Sequence, residues 1–231
     1  GSNAAWCHPV LFQRMMANKE RRGTRIVAID PRRTPTAEAA DLHLPVRGGA
    51  DAVLFNGLLV DLARRPAVDA AFIAAHTRCY AGALAAARDC APDVERTAVA
   101  TGAAEKDIAR FFSWFAATEK VITCFSQGVN QSVQGTDKVN AIINTHLATG
   151  RVGRRGSGPL SLTGQPNAMG GREVGGLANM LAAHMGYSAV ERELVGRFWA
   201  APNLAEAEGL KAVAMFEAVA AGEIKALWVM G

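Results

Sequence analysis

Hydrophobic positions along the chain alternate between helical spacing and short β-branched runs. Val10, Leu11, Met15 and Met16 share one side of a segment that starts behind Pro9 and ends in basic residues before Gly23, which predicts a helix over 8–23. The run Thr24–Asp30 (TRIVAID) is short and β-branched and predicts a buried strand that stops at Asp30, before Pro31. Leu42–Val46 (LHLPV) predicts a second extended piece. Gly48 and Gly49 then open a helix with Val53, Leu54, Leu58 and Leu59 facing inward. Helices are predicted over 68–77, 81–89, 93–101 and 103–119, with Asp69 and Thr101 as candidate caps, the latter with Glu105 nearby. Lys120–Ser126 (KVITCFS) predicts a strand, followed by a glycine-containing loop over 127–135 and a helix over 136–150. Residues 151–171 lack periodicity and are rich in Gly, Pro, Ser, Asn and Arg; so long a loop in a compact protein usually carries function. Helices are predicted over 172–185 and 208–223, and Ile224–Gly231 (IKALWVMG) predicts a last strand.

Strands set singly among helices define the α/β class: doubly wound, mostly parallel sheets with helices on both faces. The chain divides on this reading into a Rossmann-like lobe over 1–150 and a loop with the start of a second α/β lobe over 151–231. Ligands of such sheets bind beyond the carboxyl ends of strands. That rule selects the loop from Asp30, the segment Gln127–Asn130, and Gly231. The chain opens where one strand should have finished and closes where another finishes, so both ends are expected to be cuts in a longer protein. Gly-Ser-Asn-Ala at the start fits either a cleaved-tag remnant or a native turn.

Composition narrows this modestly. The 231 residues are 50% hydrophobic and 20% charged, enough apolar content for one large domain or two lobes. The net charge of +4 favours an anionic partner only weakly. Aromatic residues, 6% of the chain, do not interleave with the basic clusters, so no stacking platform for nucleic acid is indicated. The four cysteines form neither a C-x-x-C pair nor a zinc spacing, although His76, Cys79 and Cys90 are close in sequence; a reducing, cytoplasmic compartment is the expectation. No apolar run approaches the roughly 18 residues of a membrane span, and no membrane partner is expected.

The chain has no P-loop, H-E-x-x-H or G-x-S-x-G motif. Its candidate chemistry lies in strand-end loops. Asp30 could accept from ribose hydroxyls, with Arg32 and Arg33 beside it for phosphate. Asp51 is either a helix-start charge favourable to the dipole or a two-point acceptor for the N1–H and N2–H2 donors of guanine. Asn130 and Gln131 could bond a heterocycle or serve as turn residues. Gln165 stands between Gly164 and Pro166, and Arg172 is expected to begin a helix, where an adjacent anion would explain a cation.

Six ordered stretches carry a family resemblance: GSNAAWCHPVLFQR, DPRRTPTAEAADLHLPVRGGAD, FIAAHT, GVNQSVQGTD, ATGRVGRRGSGPLSLTGQPNAMGGREVGG and LWVMG. Together they resemble the molybdopterin oxidoreductases, and within them the bacterial assimilatory nitrate reductases, for which GQPNAMGGREVGG is characteristic. The resemblance spans essentially the whole chain. It implies a bis-molybdopterin guanine dinucleotide (bis-MGD) with molybdenum. Asn3 would approach a pyrophosphate, and Asp30 and Arg32 would hold the nucleotide half. Asp51 would pair with guanine; Gln127, Gly128 and Asn130 would border the pterin; and Gly49 and Gly164 would be further cofactor contacts. Gln165 and Arg172 would line the nitrate pocket, where a planar guanidinium suits a planar oxyanion and an amide can donate to it.

The family's cysteine motif for an iron–sulfur cluster and its molybdenum-ligating cysteine have no counterpart here, so no metal ligand is assigned, and a [4Fe-4S] cluster is expected in a preceding segment. The isolated chain is accordingly expected not to turn over. The parent would reduce nitrate with electrons from a donor protein or reductase domain. Formate oxidation on the same scaffold is the alternative within the family; a stand-alone guanine-nucleotide-binding module is the alternative without catalysis.

Overall fold

The computed structural model describes residues 2–164 and 168–229. It divides into two compact units, Gly1–Gly164 and Gln165–Gly231. In the first unit the order is α1 (Ala4–Cys7), α2 (Pro9–Arg22), β1 (Val27–Ile29), α3 (Pro35–Glu38), β2 (Leu42–Leu44), α4 (Asp51–Ala63), α5 (Ala70–His76), α6 (Tyr80–Cys90), α7 (Val94–Thr101), α8 (Glu105–Ala117), β3 (Ile122–Phe125), α9 (Gln127–Asn130), α10 (Gly135–Ala148) and β4 (Gly158–Ser161). The α/β class stands, and the pairing is parallel. It comes as two separate pairs: β1 with β2 (Val27 opposite Leu42) and β3 with β4 (Ile122 opposite Gly158).

Local signals account for most boundaries. Gly23 closes α2 in the left-handed conformation at φ +66°, which costs glycine nothing. Asp69 caps α5 by accepting from Phe72 N–H at 2.9 Å. Asp93 caps α7 in the same way through Arg96 N–H. Thr101 does not cap α8. It ends α7, and its hydroxyl donates back to the Thr97 carbonyl at 2.8 Å. The turn through Gly102 intervenes before α8 begins.

The core of this unit gathers where α4 meets α7, α8 and α10. Leu44, Leu54, Leu58, Leu62, Ile108 and Phe112 have almost no exposed surface. Phe111 makes edge contacts with both Phe55 and Phe115, at centroid distances of 6.3 and 6.2 Å. Helix α4 is buried on several sides, and Gly57 is the position that lets α7 approach: a Cβ there would run into the side chain of Thr97. Gly57→Ala is expected to destabilise the protein by about 1–3 kcal/mol, the usual cost of overpacking, read as a lowered urea midpoint.

A buried polar cluster closes the far side. Arg151 donates to the carbonyls of Phe115, at 2.9 Å, Thr118 and Glu119, satisfying the end of α8, and its guanidinium stacks on Phe115. His146, fully buried on α10, meets the Thr123 hydroxyl at 2.7 Å through Nε2. Burial, and then the nearby Arg151 cation, push its pKa down to about 4. The folded state therefore binds fewer protons than the unfolded one. Stability from this group is complete above the unfolded value of 6.5 and is lost as pH falls from 6.5 to 4. The loss should reach about 3 kcal/mol. Thermal midpoints measured across that window should fall more steeply for the unsubstituted chain than for His146→Gln.

The first unit extends past the boundary expected at residue 150, because β4 hydrogen-bonds along β3. The loop expected over 151–171 is thus interrupted by a strand. The second unit holds α11 (Ala168–Glu173), a 3-10 turn (Ala182–His184), α12 (Ala189–Trp199) and α13 (Ala212–Ala220). The helix expected over 172–185 does not form. Gly175 sits at φ +73°, and Gly176 N–H returns to the Gly171 carbonyl, which ends α11 early. Ser188 and Glu191 form a reciprocal capping box on α12. The last predicted strand is also absent among the described residues: 224–229 carry no regular structure, and Trp228 and Val229 are exposed. A strand needs a partner to satisfy its backbone, and no strand lies among the described residues of this unit. Met230 and Gly231 lie outside the described residues.

Candidate functional site

A cavity of about 320 Å³ opens at the carboxyl ends of β1 and β2 and is lined by Asn3, Asp30, Pro31, Arg32, Val46, Arg47, Gly48, Gly49, Asp51 and Gly128. Six of the expected residues meet there: Asn3, Asp30, Arg32, Gly49, Asp51 and Gly128. The volume lies in the range of small-ligand pockets. A larger hollow of about 600 Å³ in the second unit lies along α12 and the loop after it, away from any strand end.

Each side chain has a local reason for its place. Asp30 follows β1 and is nearly buried; its Oδ1 accepts from the Arg32 N–H at 2.9 Å, folding the loop into a tight turn. Its carbonyl meets His43 Nε2 of β2 at 2.8 Å. Asp30 and Arg32 both line the cavity, which places an acceptor and a cation on its wall. Asn3 is tied to α3: its Oδ1 accepts from the Thr36 hydroxyl, which itself accepts from Ala5 N–H, both at 2.9 Å. The amide group left to a ligand is therefore the NH2 donor. Gly49 takes φ +92° in the turn after β2, and Arg47 donates to the Val99 carbonyl at 3.2 Å.

Asp51 begins α4, and its Oδ2 lies 3.0 Å from Lys138 Nζ. Both side chains are largely buried, at 13% and 5% exposure. Oδ1 of Asp51 has no partner among the described residues. Pairing with Lys138 was not read from the sequence, nor were the roles of Thr36, Arg47 and Gly48. A signal for Lys138 exists: it stands in register with Ala141, Ile142, Thr145 and His146 on the buried face of α10, where a charge requires a partner.

The remaining expected residues fall elsewhere. Gln127 opens α9, and its Oε1 accepts from the Ser126 hydroxyl. Gly164 lies against the Gln127 amide, where a Cβ would collide, so these two are brought together. Asn130 ends α9 exposed, and its carbonyl crowds Gly135. Gln165 lies outside the described residues. Arg172 does not begin a helix: it stands in the last turn of α11, exposed, where the dipole favours a cation without any anion.

Among the described residues no group of three or more His, Cys, Asp or Glu is arranged to hold a metal, and no helix is long and apolar enough to cross a membrane. The four cysteines are free and exposed.

Two carboxylates, two arginines and a glycine turn line a cavity beyond parallel strands of an α/β protein. The molybdopterin oxidoreductase profile matches residues 1–231, and the chain belongs to that family. A nitrate reductase of Shewanella frigidimarina (strain NCIMB 400) is 49% identical over 231 residues, covering all of this chain and 25% of that protein. A nitrate reductase of Klebsiella oxytoca is 49% identical over 232 residues, covering 26% of its length. The chain thus spans about a quarter of the length of these two relatives. Among solved structures, acetylene hydratase from Pelobacter acetylenicus superposes with a TM-score of 0.58 at 22% identity, covering 63% of this chain and 20% of that one, a likeness of fold. Family membership implies a molybdenum–pterin cofactor.

Proposed function

We propose that this chain is the central cofactor-binding part of a molybdenum oxidoreductase that reduces nitrate to nitrite, and that its cavity receives the guanosine half of a bis-MGD. Kinship with nitrate reductases over the full chain is the observation that carries the substrate. The donor set fits the nucleotide. Asp51 is an acceptor for the two guanine donors, and Asp30 is an acceptor for ribose hydroxyls. The Asn3 amide and the Arg32 guanidinium suit the pyrophosphate. The Gly49 turn lets backbone come close to the ligand.

Gln127, Gly128, Asn130 and Gly164 border the pterin in this reading, and Gln165 and Arg172 receive nitrate. The assignment of Arg172 rests on the family motif, not on its helix position. The first unit is the MGD-binding lobe. When bound, the cofactor supplies the redox chemistry, and the protein binds, orients and shields it. Nitrate loses one oxygen and takes up two electrons and two protons, leaving nitrite and water. A donor protein or reductase domain would supply the electrons, and a [4Fe-4S] cluster, which would be held by residues outside this chain, would supply the one-electron chemistry. Free, exposed cysteines support a reducing, cytoplasmic setting.

The test is turnover by the longer protein that carries this chain, with reduced viologen and nitrate in one assay and formate with oxidised dye in the other. Nitrite formation is the expected result. Formate oxidation without nitrite formation would overturn it.

A further inference from the structure

We propose that Lys138 is a positioning residue that sets the base selectivity of the cavity by holding Asp51 from behind; the inference rests on the guanine reading above. Lys138 is 4% exposed and does not line the cavity, whereas Asp51 does. Its ammonium reaches Oδ2 of Asp51 at 3.0 Å from α10, a different helix from the one that carries the carboxylate. A lone aspartate at the first turn of a helix can rotate about two torsions. One pinned to a buried cation has its carboxylate plane fixed.

Each carboxylate oxygen accepts two hydrogen bonds. With one site on Oδ2 taken, Oδ1 and the second site of Oδ2 remain for a pair of adjacent N–H donors. Guanine presents such a pair. Hypoxanthine presents the ring N–H alone, and adenine places an acceptor where the ring donor should be. A carboxylate offers only acceptors to the cavity, so a base that presents an acceptor there gains no hydrogen bond from it. Polar groups left unpaired against the wrong ligand are what make hydrogen-bonded sites selective.

The experiment compares GDP with IDP on the full chain by isothermal titration. The two ligands differ only in the exocyclic amino group. The unsubstituted chain should bind GDP about ten- to hundredfold tighter than IDP, the range for a hydrogen bond to a charged group. In Lys138→Met the ratio should collapse towards unity while IDP affinity stays the same, and in Lys138→Arg it should be retained. A merely structural lysine would weaken both ligands together. An unchanged ratio in Lys138→Met overturns the inference and leaves the guanine reading intact. Absence of any GDP preference in the unsubstituted chain overturns the guanine reading itself. Should Lys138→Met fail to fold, Lys138→Ala, which also removes the donor, is read in the same way: a reduced ratio supports the inference and a full ratio overturns it.

Discussion

Phe112→Ala should lower the unfolding free energy of the first unit by about 3–5 kcal/mol, the range for removing a buried phenylalanine. Phe112 has no exposed surface and stands in the same cluster as Leu54, Leu58, Ile108 and Ile142. Its ring lies 5.8 Å from that of Phe111, which in turn contacts Phe55 of α4 and Phe115 one turn on. Truncation would leave a cavity that these rings cannot close without giving up their edge contacts. Urea unfolding followed by circular dichroism measures the effect. A loss under about 1 kcal/mol would mean that the site collapses freely and that the aromatic cluster is not a rigid part of the core.

Asp51→Ala should cost about as much for a different reason. Removing one partner of a buried pair strands the other charge, at about 3–5 kcal/mol. Lys138 would be left 4% exposed without its counter-charge. The double variant Asp51→Ala/Lys138→Met should then be more stable than Asp51→Ala alone, since removing both charges is often neutral. A double-mutant cycle on urea midpoints checks this, and additive losses would show that the two side chains do not act on one another. The cycle also separates stability from recognition: the double variant should fold and still lack guanine preference.

Much of this was legible beforehand. Asp30 behind a β-branched run, the Gly48-Gly49 turn and Asp51 at a helix start are local patterns, and three separate loops meet in one cavity as the strand-end rule anticipates. Other features depend on partners distant in the chain. Lys138 is an ordinary polar residue until α10 packs on α4 and brings it to Asp51. Arg172 stands in the last turn of α11 and not at a helix start, because the Gly-Gly at 175–176 ends a helix that composition alone would continue. The run at 224–229 has strand composition and no strand beside it, and backbone pairing is a property of two segments, not one.

Helix α4 touches α6, α7, α8 and α10 and keeps seven of its thirteen residues buried. A helix enclosed on so many sides opens only when most of the unit opens, so its amides belong to the slowest-exchanging class. Asp51 rides on its first turn, whereas Asn3 caps the first short helix and Arg32 sits in the turn after β1. The cavity therefore has one acceptor on an enclosed helix, and its other groups are held by local hydrogen bonds. Any ligand that meets Asp51 would thus take its position from the part of the unit that is slowest to open.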